Sequence, residues 1–122
     1  TAIPVHHGDI PALAWRIEIA GQSIVITGSF NNSKNLIATF AKDADALVVS
    51  HAIPENSRGV LRDLYARPSQ LGRVADQADA RMMILGHRSV RTRGRESLSR
   101  NAIEENYNGT ILFANDGECW GL

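Results

Sequence analysis

Three features of the sequence predict an α/β fold built on one mixed β-sheet. Short apolar runs, Ala46-Leu47-Val48-Val49 and Met82-Met83-Ile84-Leu85, fit strands covered on both faces. Amphipathic stretches bounded by caps and breakers alternate with these runs, as helices do when they cross over a sheet. Near the start, two alternating segments flank Gly21-Gln22, the pattern of a hairpin. The predicted order is β-β-α-β-α-α-β-α-β.

Each element has its own signal. Ala12 to Ala20 alternates as a half-buried strand does, and Ser23 to Thr27 is the returning strand. Gly28 to Asn32 is a polar loop. Ser33 is a capping residue for a helix over Lys34 to Lys42, where Leu36, Ile37 and Phe40 share a face. Ala46 to Ser50 is a buried strand ending at His51. After Pro54 and Asn56 break the pattern, Arg58 to Ala66 reads as a helix stopped by Pro68, and Ser69 caps a second helix through Ala78. Arg81 to Leu85 is the next strand. Glu96 to Tyr107 is amphipathic and is expected to end in a cap at Asn108-Gly109. Thr110 to Ala114 is a strand, and Cys119 to Leu122 is a candidate last edge. Four helices can cover only one face of a sheet whose strands are apolar on both, so something else must cover the other.

Composition narrows the function classes. The chain has 122 residues, one domain's worth, with 43% apolar and 21% charged residues, as in ordinary globular proteins. Its 13 basic and 13 acidic residues cancel, which gives no footprint for nucleic acid or a membrane surface. Five arginines (Arg88, Arg91, Arg93, Arg95 and Arg100) cluster in one loop-to-helix entry, able to grip an anion or to serve as a solvated face. Cys119 stands alone, so neither an intrachain disulfide nor a Cys-based zinc site is expected, and cytoplasm and periplasm both stay open. No apolar run has the length of a membrane-spanning helix. Thr1 is not a native start, so a processed or trimmed piece is expected.

Histidines recur where strands surface. His6 and His7 precede the first predicted strand, His51 follows the third and His87 follows the fourth, after Gly86. Ligand-binding groups in α/β sheets gather beyond the carboxyl ends of strands, and imidazole is the commonest protein ligand for transition metals. Taken singly, each histidine is as readily a structural residue bonded to a nearby carbonyl. Ser29 lacks the Gly-x-Ser-x-Gly setting of an activated nucleophile. Asp9 and Asp116 are general-base or helix-end residues with nothing in the sequence to choose between the two. Trp15 and Trp120 read as core or interface aromatics.

Several segments together resemble a known family. Val5-His6-His7-Gly8-Asp9-Ile10-Pro11-Ala12-Leu13-Ala14-Trp15-Arg16-Ile17 is similar to the histidine-then-strand segment of metallo-β-lactamase superfamily hydrolases, in the branch of ribonuclease Z-like phosphodiesterases. Ile24-Val25-Ile26-Thr27-Gly28-Ser29 resembles the next strand, which usually ends Gly-Asp-Thr. Asp45 to His51 resembles the strand after it, and Leu85-Gly86-His87 the final histidine motif. Arg93 to Glu96, Tyr107 to Gly109 and Phe113 to Asp116 follow the family's tail.

The resemblance implies half of an αββα sandwich, one mixed sheet with helices on one face, spanning 1–122 as a single C-terminal half-domain. The whole sandwich would hold two metals, usually zinc, that activate water against a phosphate or carbonyl centre. By position, His7 is the expected ligand from the loop before the strand and His87 a ligand of the second metal. Ser29 falls where the bridging aspartate belongs. His51, His6 and Arg93 are expected as outer-shell or substrate contacts.

Two departures bear on activity. No His-x-His-x-Asp-His motif occurs, because it belongs to the family's N-terminal half, and the Ser29 hydroxyl is a poor substitute for a carboxylate between two dications. The 122-residue chain by itself is therefore expected to be inactive, with an incomplete metal site and no assigned catalytic residue. Its expected partners are the missing N-terminal half and, through the uncovered sheet face, a second copy in a twofold dimer. The competing expectations are a non-catalytic αβ module acting through association and an anion-binding domain using the arginine loop.

Overall fold

The computed structural model describes residues 1–122. Six strands form one sheet in chain order: β1 (Ala2–Val5), β2 (Ala12–Ile19), β3 (Gln22–Ile26), β4 (Ala46–Ser50), β5 (Met82–Gly86) and β6 (Thr110–Phe113). β1, β2 and β3 pair antiparallel, and β3 through β6 pair parallel. Two reversals make β1 run with β3, so the exits of β1, β3, β4, β5 and β6 share one edge. That edge carries the candidate residues.

Helices α1 (Leu36–Phe40), α2 (Val60–Leu64), α3 (Pro68–Ala78) and α4 (Glu96–Glu104) occupy the crossovers. The main core joins Val25, Leu47, Met83, Leu85 and Ile111 of the sheet to Ile37, Leu71, Val74 and Ile103 of α1, α3 and α4. Alternation then turns the next residue of every strand to the opposite face. There the register aligns Trp15, Ile26, Val48, Ile84 and Leu112 in one row across five strands. No helix covers this row. Only Leu122 from the C-terminal tail packs on its β4–β6 side, while Leu13, Trp15, Ile17 and Ile26 are 38 to 51% exposed. The expected mixed sheet with helices on one face is what the chain forms, and the β2–β3 part of its other face is exposed. No helix is long and apolar enough to cross a membrane.

The structure corrects several local expectations. β1 is an additional strand, held by pairing to β2 rather than by a pattern of its own. The hairpin turns at Ala20-Gly21, both at positive φ, one residue earlier than predicted, because Gln22 pairs with Ile19. Asn35, in the left-handed region, precedes α1, and Ser33 does not cap it. Pro68 opens α3 instead of stopping α2, since its missing N–H would be unpaired in a first turn anyway. Ser69 lies inside that turn, its amide and hydroxyl donating to the Glu55 carboxylate at 2.9 and 2.6 Å. α4 ends at Glu104, short of Gly109, and Cys119 to Leu122 forms no strand.

Helices α3 and α4 approach closely at Gly72. A Cβ there would stand 2.6 Å from the Ile103 carbonyl oxygen and 3.0 Å from its Cα, both backbone atoms that cannot rotate away. Gly72→Ala is therefore expected to destabilise the chain by about 1–3 kcal/mol, overpacking outweighing the better helix propensity of alanine. Urea unfolding measures this, and an unchanged or raised midpoint would contradict the packing argument.

Candidate functional site

The site is built at the common strand edge. β1 delivers His7, which is buried and donates Nδ1–H to the Leu64 carbonyl 2.5 Å away. That bond fixes the tautomer, leaving Nε2 as the ring's lone-pair nitrogen. A metal-binding histidine is usually prepared in this way, with its second nitrogen tied to a carbonyl or carboxylate. Gly8 follows at φ +58, a left-handed conformation that strains other residues, and a Cβ there would stand 2.9 Å from the Leu64 side chain. His6 points to solvent, but its carbonyl accepts from Asn31 N at 2.7 Å, and Asn31 Nδ2 donates to Asp63 O. The loops after β1 and β3 are thus tied to the end of α2.

β5 delivers His87 in the left-handed region at φ 47, a conformation that costs a non-glycine residue of order 1–3 kcal/mol. Its ring meets the Tyr65 ring edge-on, with centroids 6.0 Å apart, and Tyr65 also contacts the His7 ring at 5.0 Å. Tyr65 therefore touches both histidines that the sequence singled out. The sequence reading missed it, because an aromatic residue just after a short helix has no local signature. Its one signal was its place ahead of Pro68, where the chain must turn.

The other candidates are placed differently. Ser29 is half-buried after Gly28, whose φ of +61 brings the backbone against Leu13 O. His51 leaves β4 toward the helices and is 1% exposed, with Nε2 2.7 Å from Ser99 Oγ and its ring against Phe113. Thr92 Oγ1 donates to the His51 carbonyl at 2.7 Å. A direct contact between His51 and substrate would need that packing to open. Burial, followed by the nearby Arg88 charge, pushes the imidazole down to about 4. Arg93 and Asp116 are exposed and line an open cleft beside His87, whereas Asp9 is exposed in the loop after β1. Arg88 also lines that cleft and bonds Glu96, Asn115 and the Ala114 carbonyl. The Glu96 carboxyl is held below the usual range by its own amide first and by Arg88 next.

Nowhere do three or more His, Cys, Asp or Glu side chains gather as a metal site. The two imidazoles share a contact with Tyr65, and no carboxylate joins them in such a cluster. Four ligands are the norm for zinc, so this set does not fit a complete one- or two-metal centre.

No protein-family model matches the chain, and no curated protein matches it in sequence. Solved structures do match its fold. The metallo-β-lactamase fold protein YhfI from Bacillus subtilis superposes with a TM-score of 0.80 at 21% identity, over 98% of this chain and 48% of that one. A protein provisionally assigned as a metal-dependent hydrolase, from Parabacteroides distasonis ATCC 8503, superposes with a TM-score of 0.62 at 13% identity, over 92% of this chain and 48% of that one. The fold is thus half of a metallo-β-lactamase fold, and the chain spans about half the length of the structures it matches.

Two outcomes follow from this geometry. In the unfolded chain His51 titrates near its ordinary 6.5, while folding holds it down to about 4, so the unfolded state binds the extra proton between these values. Stability is then full above about pH 6.5 and falls as the pH drops toward 4, by on the order of 3 kcal/mol at most. His51→Gln, measured by denaturant unfolding at pH 7 and pH 4.5, is expected to flatten that dependence, and an unaltered slope would assign it to other groups. Separately, Tyr65→Ala removes the ring that contacts both imidazoles. It is expected to broaden or shift the His7 and His87 ring resonances in NMR, with Tyr65→Phe leaving them in place. Identical spectra for the alanine variant would show that Tyr65 does not position them.

Proposed function

We propose that the chain is the C-terminal half of a metal-dependent hydrolase of the metallo-β-lactamase type, with zinc as its metal. The observation that carries the reading is His7, with Nδ1 tied to the Leu64 carbonyl and Nε2 left free. The strained His87 across Tyr65 supports it as the second ligand position. The other ligands would come from an N-terminal half seated on the bare sheet face, consistent with the 48% coverage of the matching chains. The ribonuclease Z-like phosphodiesterase branch is the favoured subgroup, on the segments from Val5 to Ile17 and from Asp45 to His51. His6, His51 and Arg93 then stand outside the ligand set, Arg93 closest to where substrate would lie.

Ser29 favours a second reading, a non-catalytic module of the same fold that works by association. A longer chain carrying the other half would still lack the bridging carboxylate. In the absence of that half, the exposed row around Trp15 and Ile26 pairs two copies of the chain.

Metal content tests the hydrolase reading. The 122-residue chain is expected to retain well under one zinc after dialysis and to show no chelator-sensitive phosphodiesterase activity. In a longer chain with the N-terminal half, Ser29→Asp is expected to raise the metal content. Equal content with and without the aspartate would clear the serine as the defect, and chelator-sensitive turnover by the 122-residue chain would overturn its predicted inactivity. For association, light scattering is expected to give a dimer that Trp15→Lys converts to monomer; a clean monomer of the unsubstituted chain at high concentration would refute pairing through this face.

A further inference from the structure

The sheet ends sideways at β1 and β6, and both outer strands are short and mostly apolar. Such a border offers its outward peptide groups to any other strand, a second copy of the same strand included. On β6 the alternation is fixed by the Ala114 amide, which donates to the Leu85 carbonyl on β5 at 2.9 Å. Leu112, two residues earlier, faces β5 in the same way, so Ile111 and Phe113 turn their peptide groups outward.

That outward side is already engaged. Arg100 Nη2 donates to the Ile111 carbonyl at 3.2 Å, and Arg88 Nη1 donates at 3.3 Å to the Ala114 carbonyl just past the strand. Both guanidiniums lie against the Phe113 ring, 5.3 Å from its centroid for Arg100 and 5.9 Å for Arg88. Each is anchored again by a carboxylate of α4, Arg100 by Glu104 at 3.7 Å and Arg88 by Glu96. A planar fork held by ring and carboxylate loses little further freedom in keeping a carbonyl occupied. β1 is closed by other means. Thr1 and Arg16 exchange both of their backbone bonds, so alternation turns Ala2 and Pro4 outward, where proline has no N–H to offer.

We propose that Arg100, with Arg88 beside it, is a guard that keeps β6 from pairing with β6 of a second copy. An arriving strand has to place a neutral N–H where a charge-assisted bond already stands, which weakens the pairing. The guard acts on the side of the sheet alone. It holds whether or not the sheet's apolar face pairs, and whether or not the histidines bind metal.

The test is a titration of the ¹⁵N-labelled 122-residue chain with a capped peptide of residues 108–115, which carries the β6 sequence, followed at the Ile111 and Phe113 amides. The unsubstituted chain is expected to show no saturable shifts. Arg100→Met keeps the apolar stem and removes the donor. It is expected to bind the peptide at least about tenfold above the limit set by the unsubstituted chain, the worth of one charge-assisted bond, and to slow hydrogen exchange at those two amides. Glu104→Gln keeps the guanidinium and is expected to leave the side closed. The Arg100 and Glu104 side chains are 40 and 51% exposed, so both variants are expected to keep the unfolding midpoint. The proposal fails if the unsubstituted chain binds the peptide saturably, if folded Arg100→Met does not bind it, or if Glu104→Gln binds it as well as Arg100→Met does. The first of these outcomes needs no variant, so it decides the matter even where Arg100→Met lowers the midpoint.

Discussion

A sheet that is apolar on both faces and carries helices on only one demands cover for its second face that its own helices do not supply. The aligned row from Trp15 through Ile26, Val48 and Ile84 to Leu112 makes that demand concrete. Burial of each large apolar side chain contributes roughly 1.5–3 kcal/mol, against a total domain stability of about 5–15 kcal/mol. Leaving the β2–β3 part of the row wet thus forgoes a large share of what such a fold can gain. The tail at Leu122 shields only the opposite side.

The strand directions couple this constraint to the site. With β1 and β3 to β6 running the same way, every loop that carries a candidate residue leaves one edge of the sheet. The corner at Leu64-Tyr65 then organises that edge. One peptide carbonyl orients His7, and one aromatic ring contacts both it and His87. The same edge carries Arg93 and Asp116, so any molecule that reaches His87 through the cleft passes an unpaired cation and an unpaired anion.

His51 shows why position at a strand exit is not enough. It follows β4 as His87 follows β5, yet its ring turns into the core to meet Ser99 and Phe113. The difference is set by what the next segment does. The loop after His51 is clamped by Thr92 and Ser89 through the His51 and Ala52 carbonyls, whereas His87 adopts a left-handed backbone that swings its ring toward Tyr65.

The sequence by itself determined the strands of the central sheet, their two apolar faces, and the placement of His7 and His87 at strand exits. These follow from period-two alternation, turn chemistry and residue identity, all of them local properties. Caps were less legible: Pro68 and Ser69 belong to one helix start, and the partner that satisfies it, Glu55, is remote in sequence. Only the tertiary structure decided that Tyr65 touches both histidines, that His51 is a core residue, and that Arg93 and Asp116 are left unpaired. Each of these rests on contacts between distant segments, such as His7 with Leu64, 57 residues apart. No local pattern encodes which side chains such contacts consume and which they leave free.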